Sequence, residues 1–292
     1  MGCDCSCIEL GYDDYTILDS LQDGYSQEDL RLILDRGTEY VNVSILYSFA
    51  VDCSTINMHE FPQKMKKSCF MCINTIHPVT KEQEMGQLND AIVTGIALSK
   101  CGYNVYFMVN PEAIRFFKYL RTILSQTQEN VCFCFFGYTK DVIIDDSTGN
   151  LLYFADDLIS CVRIKDFIDA YMVPNAQLLM IFDCNHLKDE MDLQSRSIFI
   201  NDNDLPKKAL ILSAELDPDE RAYEKDIKTL GFFSFSFWKA VKDNMNNNDI
   251  TIREIEDIVN NDIGRFGLHF VKHYSDENMN NITLKQLFNN QN

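Results

Sequence analysis

Residues 131–139, Val-Cys-Phe-Cys-Phe-Phe-Gly-Tyr-Thr, and residues 177–186, Gln-Leu-Leu-Met-Ile-Phe-Asp-Cys-Asn-His, decide how this chain folds. Each is an apolar run of strand length that closes on polar residues. The first closes on Gly137, Tyr138 and Thr139, the second on Asp183, Cys184, Asn185 and His186. A strand that is apolar at successive positions, not only at every second one, is buried on both faces. Such strands belong to parallel sheets covered by helices on either side. Residues 68–75 and 209–214 read the same way, and 103–109 is strand-like.

Working outward, helical patterns fill the gaps. Residues 87–100 put Leu88, Ala91, Ile92, Gly95, Ile96 and Leu98 on one face, and Gly102 supplies the stop. Asn110-Pro111 opens a second helix, with Ile114, Phe117, Leu120 and Leu124 predicted as its inner face. Residues 164–171, 232–241 and 252–259 are also helical by period. Strand and helix alternate, so the predicted class is α/β, with a mainly parallel buried sheet and helices on both faces. In such sheets the working crevice lies beyond the carboxyl ends of the strands. That rule selects Gly137-Tyr138-Thr139 and Asp183-Cys184-Asn185-His186.

Before residue 65 the chain reads as a helical lead-in. Ser26 is an N-cap ahead of Gln27-Glu28-Asp29, helical residues run from Leu30, and residues 40–51 continue helically. Pro62 and the basic Lys64, Lys66 and Lys67 mark a boundary, giving a lead-in over 1–64 and a main domain over 65–292.

Composition narrows the functional classes. The chain has 292 residues, 46% of them hydrophobic, and a formal net charge of −18. Such a chain buries a full core and repels phosphate backbones, which excludes nucleic acid as a partner. No glycine-rich phosphate loop follows any strand. The 11 Cys are scattered, with no paired CxxC at zinc spacing, so buried free thiols in a reducing cytosol are expected. Cys69 and Cys72, the lone CxxC, read as strand residues. No metal centre or cofactor is expected. Asp145, Asp146, Asp156 and Asp157 offer carboxylates that calcium could use, but acidic surface loops are ordinary in so acidic a chain.

The order of segments resembles the caspase superfamily, and metacaspases more closely than animal caspases. The carriers are the strand at 68–75 followed by GQLNDA at 86–91, then SKCGYNVYFMVN at 99–110. FCFFGYTKD at 133–141 lies where the family has Y-S-G-H-G, and LLMIFDCNHL at 178–187 where metacaspases have D-[SC]-C-H-S-G. ILSAELDPDERAYE at 211–224 and GFFSFSFWKAV at 231–241 follow in family order. The resemblance covers about residues 65–260 and implies a caspase-like sandwich.

In that family a Cys thiolate attacks a peptide carbonyl, a His is its partner, and backbone donors hold the oxyanion. Carried over position by position, the His falls on Tyr138, the following oxyanion-hole Gly on Thr139, and the Cys on Asn185. The Ser-Gly that ends the motif falls on Leu187 and Lys188. Gly137, Asp183 and His186 keep their family identities, and Asp183 matches an Asp that shapes an acidic pocket for a basic substrate side chain. An Asn amide is no useful nucleophile. A Tyr hydroxyl, with an ordinary pKa of about 10, is a poor base. The resemblance therefore implies a peptidase fold without its dyad, acting by binding a protein or peptide, such as an active metacaspase. The rival is an active cysteine endopeptidase using Cys184 as a displaced nucleophile. Strand alternation argues against it, because Cys184 should point away from the place of Asn185. His186 reads as structural, and His77 as a solvated loop residue.

Two further expectations concern processing. Met-Gly-Cys-Asp-Cys-Ser-Cys matches an N-myristoylation pattern at Gly2, with Cys3, Cys5 and Cys7 available for palmitoylation. One acyl chain anchors only marginally, and the second signal here is palmitate, since the flanking residues are acidic. A cytoplasmic protein held at a membrane surface follows. Residues 188–208 read as a long polar loop whose Lys188, Arg196, Lys207 and Lys208 a trypsin-like activity could cut.

Overall fold

The computed structural model describes residues 39–83, 86–144, 147–185, 209–216, 232–244, 247, 249–264, 268–274 and 281–288. The strands are β1 (Ala50–Asp52), β2 (Met65–Ile73), β3 (Asn104–Val109), β4 (Thr127–Ile144), β5 (Ser147–Tyr153), β6 (Leu158–Ser160), β7 (Gln177–Asn185), β8 (Ala209–Leu216) and β9 (Leu268–Tyr274). The helices are α1 (Glu39–Phe49), α2 (Gly86–Lys100), α3 (Ala113–Gln126), α4 (Cys161–Tyr171), α5 (Phe232–Asn244), α6 (Ile252–Ile263) and α7 (Leu284–Phe288). The main sheet runs β1-β3-β2-β4-β7-β8-β9. Every neighbouring pair on that path is parallel except β8–β9, which closes one edge antiparallel. The second half of β4 leaves the sheet and pairs antiparallel with β5, which pairs with β6.

Strand alternation divides the apolar residues between two cores. Cys69, Met71 and Ile73 of β2, Cys132, Cys134 and Phe136 of β4, and Leu179 and Ile181 of β7 face α1, α2, α5, α6 and α7. Phe70, Cys72, Val131, Phe133, Phe135, Met180 and Phe182 face α3 and α4. The architecture is therefore the expected α/β sandwich, a mainly parallel sheet with helices on both faces. Both apolar runs that opened the reading are central strands with side chains in both cores.

Several local expectations change. In α3 the buried residues are Ala113, Phe116, Tyr119, Leu120, Ile123 and Leu124, whereas Ile114 is 76% exposed. Apolar residues occur on two adjacent stripes of this helix. Packing selects the one that stacks Phe116 on Phe70 of β2, with ring centroids 5.6 Å apart. Helix α2 is buried over nearly its whole girth, from Leu88 through Leu98 and including Asn89, Asp90 and Thr94. Both α1 and α5 pack on it in addition to the sheet. A Cβ at Gly95 would lie 2.6 Å from the Phe49 ring, so α1 crosses α2 at this glycine. The helical reading of 40–51 holds to Phe49, after which Ala50–Asp52 is an edge strand on β3. Ile45 and Leu46 belong to the first core, so packing continues across the 64–65 boundary. Gly102 ends α2 as expected, at φ 81°, with the Tyr103 N–H donating to the Leu98 carbonyl.

Candidate functional site

The crevice is built from the carboxyl ends of β2, β3, β4 and β7 and the start of α2. Register fixes its centre. Phe136 pairs with Asp183, Gly137 with Cys184, and Tyr138 with Asn185, the last pair before β4 leaves β7. Thr139 pairs instead with Leu152 of β5. Thr139 thus stands at the step where β4 changes partner. The strand continues past the expected end at Thr139 because the β4–β5 hairpin takes over its hydrogen bonding. The side chains of Cys184 and Asn185, and all of His186, Leu187 and Lys188, lie outside the described residues, as do residues 188–208 of the expected cleavage loop.

Tyr138 is buried, and its hydroxyl accepts a hydrogen bond from Gln87 Nε2 at 2.8 Å. Among the described residues, no hydrogen-bond partner meets the buried Gln87 Oε1. The segment GQLNDA at 86–91 therefore opens α2 against Tyr138. The ring of His77 meets the Tyr138 ring edge-on, with centroids 5.1 Å apart. Read from sequence as a solvated loop residue, His77 in fact reaches the crevice, because the loop after β2 folds back over the strand ends. The Ile76–Gln83 bridge closes that loop.

His77 is held through its Nδ1. Its Nδ1 accepts from the backbone N–H of Thr80 at 3.1 Å and of Val79 at 3.3 Å. With Nδ1 occupied as an acceptor, the neutral ring carries its proton on Nε2, and that nitrogen donates and does not abstract.

Below this layer the strand ends are tied together by side-chain amides. Asn74 donates from Nδ2 to the Tyr153 carbonyl at 2.7 Å. A Cβ on Gly137 would come within 3.0 Å of the Asn74 Cβ, so only glycine fits there without displacement. Asn110 sits at φ 45° at the end of β3. Its Oδ1 accepts from the Thr75 N–H at 2.9 Å, and its Nδ2 donates to Thr75 Oγ1 at 2.9 Å. Left-handed backbone is tolerated by asparagine better than by most residues.

Asp183, expected to face a basic substrate group, is engaged within the fold. Its Oδ2 accepts from Ser234 Oγ at 2.5 Å and from the Ser234 N–H at 3.1 Å, in the first turn of α5. Burial raises its pKa above the ordinary carboxyl value, and the two Ser234 donors offset part of that rise. A carboxyl with a raised folded-state pKa binds more protons folded than unfolded, so its contribution to stability falls as pH rises through that interval. Asp183→Asn keeps an acceptor for Ser234 but removes the titration. The stability difference, wild type minus variant, is expected to fall between the ordinary carboxyl range and neutral pH in urea unfolding. A flat or rising difference would contradict this assignment.

Two of the acidic residues offered to calcium make hydrogen bonds within the fold. Asp156 Oδ1 accepts from the Ala113 N–H at 2.8 Å and so caps α3, while Asp157 Oδ1 accepts from the Leu158 N–H at 2.8 Å. Asp145 and Asp146 lie outside the described residues, as do Gly2, Cys3, Cys5 and Cys7. No described helix is long and apolar enough to cross a membrane.

No protein-family model matches this sequence, and no curated protein does either. Solved structures resemble it in fold. A protein from Geobacter sulfurreducens superimposes with a TM-score of 0.57 at 10% identity, over 77% of this chain and 100% of its own. Caspase-1 from Spodoptera frugiperda gives 0.49 at 12% identity, over 70% of this chain and 79% of its own. The Drosophila initiator caspase Dronc gives 0.49 at 12% identity, over 79% and 88%. At these identities the likeness is one of fold.

Proposed function

We propose that this chain is a metacaspase-like pseudopeptidase that binds a peptide or an active homologue without cutting it. The observation that carries the reading is the register pair Tyr138–Asn185 at the ends of the two central strands. These are the positions that the motif order aligns with the family's base and nucleophile, and they are neighbours across one sheet. Three further features support the loss of chemistry. The Tyr138 hydroxyl is held by Gln87, the His77 acceptor nitrogen is taken by two backbone donors, and Thr139 replaces the oxyanion glycine.

The binding arm of the proposal is tested with unlabelled Arg- and Asp-containing peptides, read by calorimetry and by mass spectrometry of the recovered peptide. Saturable binding with the peptide recovered intact is expected. Cleaved peptide, or no binding to any peptide or to an active metacaspase, would contradict it. The membrane arm rests on the residue types at Gly2, Cys3, Cys5 and Cys7. Labelling with a myristate analogue should mark the wild type and not Gly2→Ala, and an unlabelled wild type would remove the anchor from the proposal.

A further inference from the structure

Three cysteines far apart in sequence meet in the first core. Cys69 of β2 and Cys132 of β4 are register partners, and Cys134, two residues further along β4, shares their face. All three are fully buried. Their Sγ atoms lie within 4.8 Å of one another, with Cys132–Cys134 at 3.6 Å and Cys69–Cys134 at 3.8 Å. A disulfide needs a separation of about 2.05 Å. A metal–sulfur bond of about 2.3 Å places sulfurs sharing a tetrahedral ion about 3.8 Å apart. Two edges of the triangle therefore already match that spacing, and the third lies within 4.8 Å.

We propose that Cys69, Cys132 and Cys134 form a three-sulfur site for Cu(I). The donor set selects the ion. Three sulfurs exclude calcium and magnesium, which require oxygen. Among the described residues no fourth Cys, His, Asp or Glu joins the group, and water does not reach it, whereas structural zinc takes four ligands. Cu(I) is soft, carries no demand for a fourth donor, and is selected by thiolates. The surroundings set the charge. The group lies among Met71, Leu98, Val105 and Phe107, where an unpaired charge is costly. One Cu(I) therefore displaces one thiol proton to solvent, leaving one thiolate, two thiols and a neutral site, with no change of oxidation state.

A site closed on all sides fills while β2 and β4 come together, so the test loads the ion during refolding. The full chain carrying Cys3→Ser, Cys5→Ser and Cys7→Ser, which removes the N-terminal thiols as competitors, is refolded anaerobically with Cu(I) and a competing Cu(I) chelator. One copper per chain, one proton released per copper, three sulfur neighbours by X-ray absorption and a raised thermal midpoint are expected. Cys69→Ala, Cys132→Ala and Cys134→Ala, each confirmed folded by circular dichroism, should each lose the retained copper and the midpoint shift. Cys72→Ala, on the same strand but in the opposite core, should keep both. The proposal is overturned if copper is surrendered to the chelator by the parent, or if the folded cluster variants retain it equally. Nitrogen or oxygen neighbours at the copper, or retention of zinc but not Cu(I), would overturn it as well.

Discussion

Trp238→Ala should lower unfolding stability by about 3–5 kcal/mol, the range for removing a buried aromatic side chain. Trp238 is 1% exposed and joins three elements. Its ring meets Phe237 at 4.9 Å and Phe288 of α7 at 5.5 Å, and its Nε1 donates to Thr94 Oγ1 of α2 at 2.8 Å. Truncation removes the contacts and also orphans the buried Thr94 hydroxyl, which adds desolvation cost to the cavity. The effect should reach the crevice. Helix α5 carries Trp238 in its middle and Ser234 at its start, where Asp183 is bound. Urea unfolding measures the loss, and hydrogen exchange should show amides at 232–244 losing protection ahead of those in β2 and β4. A loss below about 1 kcal/mol, typical of exposed positions, would mean that α5 is not held as described.

Phe116→Ala should cost a similar amount, about 3–5 kcal/mol, from the opposite face of the sheet. Phe116 is fully buried and packs on Phe70, Phe133 and Phe154 at centroid distances of 5.6, 5.8 and 4.8 Å. Its helix, α3, packs on the face of the sheet opposite α5, so the two variants separate the cores. Phe116→Ala should weaken α3 and α4 in hydrogen exchange while leaving the start of α5 protected. Because the sheet lies between the two side chains, their effects should add in the double variant to within about 0.5 kcal/mol.

Much of this fold is legible in the sequence because its central strands are buried on both faces. Runs such as 131–137 and 178–182 leave no polar residue to blur the reading, and their polar ends mark the crevice. Elements stabilised by pairing instead of burial are harder to see. The β5 sequence Ser-Thr-Gly-Asn-Leu-Leu-Tyr has neither clean alternation nor an apolar run, and it forms because the extension of β4 offers it a ladder. β1 has three residues and exists as an edge of β3. β9, Leu-His-Phe-Val-Lys-His-Tyr, lacks strict alternation, and it closes antiparallel a sheet that otherwise reads as parallel. In α3 two apolar stripes compete, and sequence period alone could not favour Phe116 over Ile114.

The site shows the same division. Tyr138, Asn185 and Asp183 are found by their place at strand ends, and register makes the first two neighbours. Their partners are not visible in sequence. Gln87 reaches Tyr138 across 51 residues, and Ser234 reaches Asp183 across another 51. His77 carries no local signal for the crevice, since its approach depends on how the loop after β2 closes. The three-cysteine cluster is hidden for a related reason: neither residue spacing nor the CxxC at 69–72 predicts it, and only the β2–β4 register assembles it.

The central claim, a peptidase fold without peptide-bond chemistry, is tested most directly by turnover. The full chain is incubated with Arg- and Asp-based fluorogenic peptides, with and without calcium, beside Cys184→Ala. The account predicts no release of fluorophore above the protein-free rate in any arm, and no difference between the two proteins. Cleavage by the wild type that disappears in Cys184→Ala would contradict it and identify Cys184 as a displaced nucleophile.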